Sequence, residues 1–161
     1  MEIEEVPLVD KVVIDPNTDA LIVVDMQNDF IPGGSLAVED GDKIIPTINS
    51  LINKFYTKGA IIVMTQDWHP SDHHSFASAH EGMKPFDQFN APGIGPVLWP
   101  DHCVMGTSGA ELHSKVNKNK AHLILRKGYH KEIDSYSAFL ENDKKTKTGL
   151  DGYLNCLLYT S

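Results

Sequence analysis

Five polar residues in this chain have types and spacing that could do chemistry: Asp25, Asp67, His69, His102 and Lys127. In extended backbone residues i and i+2 face the same side, so Asp67 and His69 can grip one ion while Trp68 turns away. His102, returned to them by the intervening chain, would complete a face of two imidazoles and one carboxylate. That donor set suits zinc, iron or manganese and leaves positions open for water or substrate. Asp25 and Lys127 form a second constellation. If the strands that carry them lie adjacent, each holds the other charged in a partly dry cleft, which suits taking a thiol proton and supporting the negative charge that results. A buried ion pair of purely structural use would look the same in sequence.

The elements that must position these groups follow from the apolar pattern. Residues 20–24 are continuously apolar and rich in β-branched types, as expected of a parallel strand buried on both faces, and Asp25 follows them. Residues 60–65 and 121–125 predict a second and a third strand, with Asp67 and Lys127 just beyond. Ligands of open α/β sheets bind outside the carboxyl ends of parallel strands, where all three polar residues fall. After a Gly/Pro-punctuated loop over 29–41, Ile44, Ile45, Ile48, Leu51, Ile52 and Phe55 recur at helical spacing up to a stop at Gly59. The stretch 67–104 holds five of the eight histidines and five prolines with little periodicity. Loops of that length inside a domain are uncommon and usually functional, so it is expected to wall the active site. Within it His73, His74 and His80 read as solvated loop histidines. The coarse order is β–α–β–long loop–α–β, followed by a polar, lysine-rich connection over 141–148 and a short helix opening at 150–154.

Composition narrows the class. A chain of 161 residues, 41% hydrophobic and 22% charged, is long enough for one domain with a real core. A net charge of -8 argues against nucleic acid or an anionic membrane as partner. Two cysteines make no disulfide framework. The acidic start Met1-Glu-Ile-Glu-Glu5 is no signal peptide, and no apolar run approaches membrane-spanning length. A cytoplasmic location is expected, with the nucleus as the alternative.

Seven phrases occur in an order that resembles a known family: Ala20-Leu-Ile-Val-Val-Asp25-Met-Gln-Asn-Asp-Phe30, Gly33-Gly34-Ser-Leu-Ala-Val38, Gln66-Asp-Trp-His-Pro70, His74-Ser-Phe-Ala-Ser78, Trp99-Pro-Asp-His-Cys-Val104, Lys127-Gly128 and Asp134-Ser-Tyr-Ser-Ala-Phe139. They resemble the cysteine hydrolases of the isochorismatase-like superfamily and, within it, the nicotinamidases, also called pyrazinamidases. The resemblance implies a three-layer α/β/α fold with a parallel sheet whose first strand is flanked on one side by the second and third. The strands on its other side belong to a second half of the family sheet that is missing from this chain. Residues 20–155 then correspond to the N-terminal part of the hydrolase domain, 1–19 to a lead-in, and 156–161 to a tail of non-native character.

The resemblance also implies roles. The family triad is an aspartate, a lysine and a cysteine, and the first two map onto Asp25 and Lys127. The family's metal ligands map onto Asp67, His69 and His102, with zinc expected first and iron or manganese as alternatives. Ser75 stands where some relatives place a further ligand. Phe30, Trp99 and Tyr136 match aromatic positions that line a pocket for a flat pyridine ring, with core packing as the alternative for Phe30.

The implied reaction hydrolyses nicotinamide to nicotinic acid and ammonia through a cysteine thioester, Asp25 acting as base and Lys127 as its electrostatic partner. Neither cysteine fits the nucleophile. Cys103 matches a family cysteine that is not the nucleophile and reads as a small buried hydrophobe, and Cys156 follows no strand and no small-residue turn. The chain as written is therefore expected to be inactive. The alternatives are a metal-binding fragment without catalysis or another isochorismatase-like amidohydrolase. A small-molecule amide is the expected partner, and a homo-oligomer stays open for a full-length form.

Overall fold

The computed structural model describes residues 13–158. Three strands, β1 (Ala20–Val23), β2 (Ile61–Asp67) and β3 (Leu123–Lys127), form one parallel sheet in the order β1-β2-β3. The register sets Val23 beside Met64 and Asp67 beside Lys127. Two helices are present among the described residues, α1 (Ile45–Lys58) between β1 and β2 and α2 (Leu150–Leu158) after β3. The α/β class and the parallel sheet agree with the sequence expectation. So does the place of β1, which pairs with β2 alone among the described strands.

α1 forms where the apolar residues recur at helical spacing. Pro46 lies in its first turn, where the missing N–H costs nothing, and Gly59 ends it in the left-handed conformation at φ 74°. Ile45, Ile48, Ile52 and Phe55 of α1 face Leu21 and Val23 of β1 and Ile62 and Met64 of β2, with Leu112 and Val116 closing the cluster. Burying each such side chain contributes about 1.5–3 kcal/mol. This core anchors the strands whose carboxyl ends carry the chemistry.

Three differences from the sequence expectation have plain causes. β2 and β3 run on to Asp67 and Lys127, past the predicted ends at 65 and 125, because Gln66, Asp67 and Lys127 are polar residues that find internal partners and stay paired in the ladder. No α-helix lies between the long loop and β3: residues 105–122 hold a 3-10 turn at Lys118–Lys120 and lack apolar residues at helical spacing. α2 continues beyond 154, passing through Cys156 to Leu158. The lead-in before Val13 and the last three residues of the tail lie outside the described residues.

Candidate active site and metal centre

β1, β2 and β3 deliver Asp25, Asp67 and Lys127 to one end of the sheet. The Lys127 ammonium lies 2.9 Å from Asp25 Oδ2 and 2.5 Å from Asp67 Oδ1. It also donates to the Ser135 carbonyl at 2.8 Å, so three N–H groups meet three acceptors in a side chain only 2% exposed. The strands of Asp25 and Lys127 are not adjacent, because β2 stands between them. The long lysine side chain spans that strand, and the pair expected from sequence becomes a cluster in which one ammonium serves two carboxylates. Burial pushes the Asp67 carboxyl up to about 7, against the pull of Lys127. Burial alone would lower Lys127, but Asp67 and Asp25 outweigh it and hold its pKa above the ordinary value. Thr65 completes the support of Asp25, its hydroxyl donating to Asp25 Oδ1 at 2.6 Å.

The metal face takes shape where the long loop returns. His69 N–H donates to the Cys103 carbonyl at 3.0 Å and Met105 N–H to the His69 carbonyl at 2.8 Å, which lays 103–105 alongside His69 and sets His102 next to it. The His69 and His102 ring centroids are 5.0 Å apart. His69 Nδ1 donates to the Gly128 carbonyl at 2.7 Å and His102 Nδ1 to the Pro100 carbonyl at 2.8 Å. A carbonyl accepts only from a protonated nitrogen, so both rings keep Nε2 as a free lone pair, the arrangement usual for metal-bound histidine. Gly128 has φ 68°, and a Cβ there would stand 2.5 Å from the His69 ring, so glycine is needed for this contact.

Burial lowers His69 to about 2 and pushes His102 down as well, which keeps both imidazoles neutral. The donor atoms of Asp67, His69 and His102 all lie within 4.8 Å of one another. With Asp67 ionised, two carboxylates sharing one ammonium leave a negative balance beside two neutral imidazoles, and a divalent metal ion fits both the charge and the donors.

His73 differs from its expectation. It is fully buried, not solvated, because the turn at 70–73 folds it inward beneath Phe76. His73, His69 and Asp134 also lie within 4.8 Å of one another. However, His73 Nδ1 is held by Ser75 Oγ at 2.7 Å and Nε2 lies 3.3 Å from the Ile133 carbonyl. Both ring nitrogens are engaged, so the set with free donors is Asp67, His69 and His102. Ser75 spends its hydroxyl on His73, away from a fourth ligand's place.

Trp99 Nε1 donates to the Tyr136 hydroxyl at 3.2 Å, and that hydroxyl donates to the Gly95 carbonyl at 3.1 Å. The Phe30 ring lies 5.6 Å from that of His102. Three supporting residues were not anticipated from sequence. Gln27, fully buried, accepts from Asp67 N–H and donates to the Asp67 carbonyl, both at 2.7 Å. Thr65 grips Asp25 through its hydroxyl, and Phe76 packs its ring 5.5 Å from both His69 and His102. The sequence signal for Gln27 was its place in the phrase from Ala20 to Phe30, two positions after Asp25.

The raised Asp67 carboxyl has a measurable consequence. A metal binds the carboxylate, so below about pH 7 a proton competes for it. Zinc affinity should fall as pH drops below 7 and flatten above it, with close to one proton released per ion near pH 6. Calorimetry in two buffers of different ionisation enthalpy measures that release; no release near pH 6 would show that Asp67 is already ionised.

A parallel sheet whose carboxyl end joins a buried acid–lysine cluster to a two-histidine, one-carboxylate face defines an α/β protein with a metal-assisted site. The isochorismatase domain model matches residues 19–157, and the chain belongs to that family. It is 58% identical over 138 residues to a nicotinamidase of Acinetobacter baylyi, an alignment covering 86% of this chain and 63% of the relative. Among solved structures it resembles the Acinetobacter baumanii nicotinamidase pyrazinamidase with a TM-score of 0.83 and 52% identity, over 89% of this chain and 67% of that one. It also resembles the pyrazinamidase of Pyrococcus horikoshii in complex with zinc, with a TM-score of 0.64 and 41% identity, over 85% of this chain and 63% of that one. The chain thus spans 63% of the length of the first curated relatives it matches.

Proposed function

We propose that this chain carries the base, the ammonium, the metal ligands and the ring-facing aromatics of a nicotinamidase, which hydrolyses nicotinamide to nicotinic acid and ammonia. The observation that carries this reading is the Lys127 ammonium bonded to both Asp25 and Asp67, because it joins the acid–base pair and the metal face into one site. Relatives named nicotinamidase at 58% and 42% identity support the substrate class.

Given a nucleophilic cysteine, which neither Cys103 nor Cys156 supplies, Asp25 would take the proton of its thiol and return it to the leaving ammonia. Thr65 and Lys127 hold its carboxylate in place, and Lys127 offsets the negative charge that develops on the thiol. Trp99 and Tyr136 present flat faces for a pyridine ring, and the bond between them fixes the wall. Asp67, His69 and His102 would hold the metal, which when bound supplies a Lewis-acid contact for the ring nitrogen. Zinc is the ion proposed, in keeping with borderline nitrogen and oxygen donors and with the zinc complex of the Pyrococcus relative. No described helix is long and apolar enough to cross a membrane, and we place the protein in the cytoplasm.

Calorimetric titration with nicotinic acid tests the reading. Saturable binding is expected only with zinc present, at least tenfold weaker in Trp99→Ala, and much weaker for benzoate, which lacks the ring nitrogen. Equal binding of benzoate and nicotinate, or binding indifferent to zinc, would remove the proposed ring site.

A further inference from the structure

Asp29 is a buried acid that neither the metal face nor the acid–lysine cluster uses. It is 8% exposed, and among the described residues no lysine or arginine pairs with it. Burying a carboxylate without a counter-ion is costly unless hydrogen bonds satisfy it. Here Oδ2 accepts the Cys103 N–H at 2.7 Å, and Oδ1 accepts the N–H and the hydroxyl of Ser35 at 3.3 and 3.2 Å. Its backbone is tied as well, with its N–H on the Gly109 carbonyl and its carbonyl on Leu36 N–H, both at 3.0 Å.

Cys103 connects this acid to the metal face. It sits at φ 47°, in the left-handed region that residues with a Cβ avoid. That conformation turns its N–H toward Asp29 while its carbonyl accepts the His69 N–H at 3.0 Å. The same residue follows His102 directly, so one strained backbone position relates both histidines of the metal face. Gly109 gives room for the carboxylate, since a Cβ there would collide with it. The carboxylate is bonded to the peptide that follows His102, and a negative charge so placed attracts a divalent cation.

We propose that Asp29 is a positioning residue for the metal face: its carboxylate holds Cys103 in the left-handed conformation, aims His102 at the ion and supplies negative potential there. The proposal rests on the reading of Asp67, His69 and His102 as metal ligands. It extends the ligand set to a supporting acid 73 positions away from His102 in the chain, and partners of this kind typically change metal affinity by 10- to 100-fold.

The experiment measures zinc affinity by competition with a chromophoric chelator, and the visible spectrum of the cobalt(II) form, in the parent, Asp29→Ala and Asp29→Asn. Asp29→Ala should weaken zinc at least about tenfold and shift the cobalt bands. Asp29→Asn keeps an acceptor oxygen for Cys103 N–H but loses the charge, so it should weaken zinc less and preserve the shape of the bands. A folded Asp29→Ala protein with parental affinity and spectrum overturns the proposal. Where circular dichroism shows Asp29→Ala unfolded, Asp29→Asn decides: reduced affinity supports the proposal and parental affinity overturns it. A parent that binds no zinc overturns the metal reading itself, and the proposal with it.

Discussion

The 161-residue polypeptide, loaded with zinc, is expected to release no ammonia from nicotinamide above a zinc-only control. The site holds Asp25 and Lys127, proposed as base and electrostatic partner, but neither cysteine can supply the attacking thiolate. Cys103 is fully buried, and burial first, then the neighbouring carboxylates Asp67, Asp29 and Asp25, push its thiol far up, so it stays protonated and unreactive. Cys156 is exposed near the end of α2, with no helix N-terminus behind it. Removing the nucleophile of a hydrolase that works through a covalent intermediate costs on the order of 10⁶ in kcat, the size of the loss in a serine protease stripped of its serine, because the remaining groups only position and polarise. An ammonia assay over hours at high protein concentration has the range to see this. Turnover abolished by Cys156→Ala would show that α2 reaches the site in a way its exposure does not suggest.

The second large effect concerns His102. Changing it to alanine should lower zinc affinity by more than about 100-fold, beyond the range seen for supporting partners, because one of three protein donors is lost. The other two proposed donors are Asp67, the last residue of β2, and His69 two positions beyond it, so among the proposed ligands His102 alone belongs to the returning segment. With it gone the ion no longer ties that segment to the sheet, and amide protons of residues 99–105 should exchange faster in zinc-containing buffer. Elemental analysis after gel filtration, with the parent as reference, reads the first part and hydrogen exchange the second. Equal metal content in the two proteins would remove His102 from the ligand set and turn attention to His73 and Asp134, the other donors near His69.

The elements built from local pattern were legible in the sequence. β1 and α1 appear where apolar runs and helical spacing put them, because burial of a continuous face dominates those segments. The ends of β2 and β3 were not, since Gln66, Asp67 and Lys127 read as strand-ending polar residues until internal partners are known. Asp67 with His69 could be paired from a spacing of two, a property of extended backbone. His102 entered the same set through resemblance and an assumed return of the loop, and the bonds between His69 and residues 103–105 now account for that return.

Sequence alone determined which chemical groups stand at the carboxyl ends of parallel strands: Asp25, Asp67 and Lys127, with a histidine two residues beyond the second. Strand period and apolar run length are local quantities, and they sufficed. Only the tertiary structure decided that β2 separates Asp25 from Lys127 and that the ammonium nevertheless reaches both carboxylates. It likewise decided that His73 is buried with both nitrogens engaged, that Gln27 and Thr65 brace the acids, and that Asp29 holds the Cys103 peptide. The physical reason for the bracing residues is distance along the chain. A buried polar side chain takes its role from the partners that satisfy it, and the contacts of Thr65 with Asp25, of Gln27 with Asp67 and Ala110, and of Asp29 with Cys103 join residues 40 to 83 positions apart, too far for any local pattern to register.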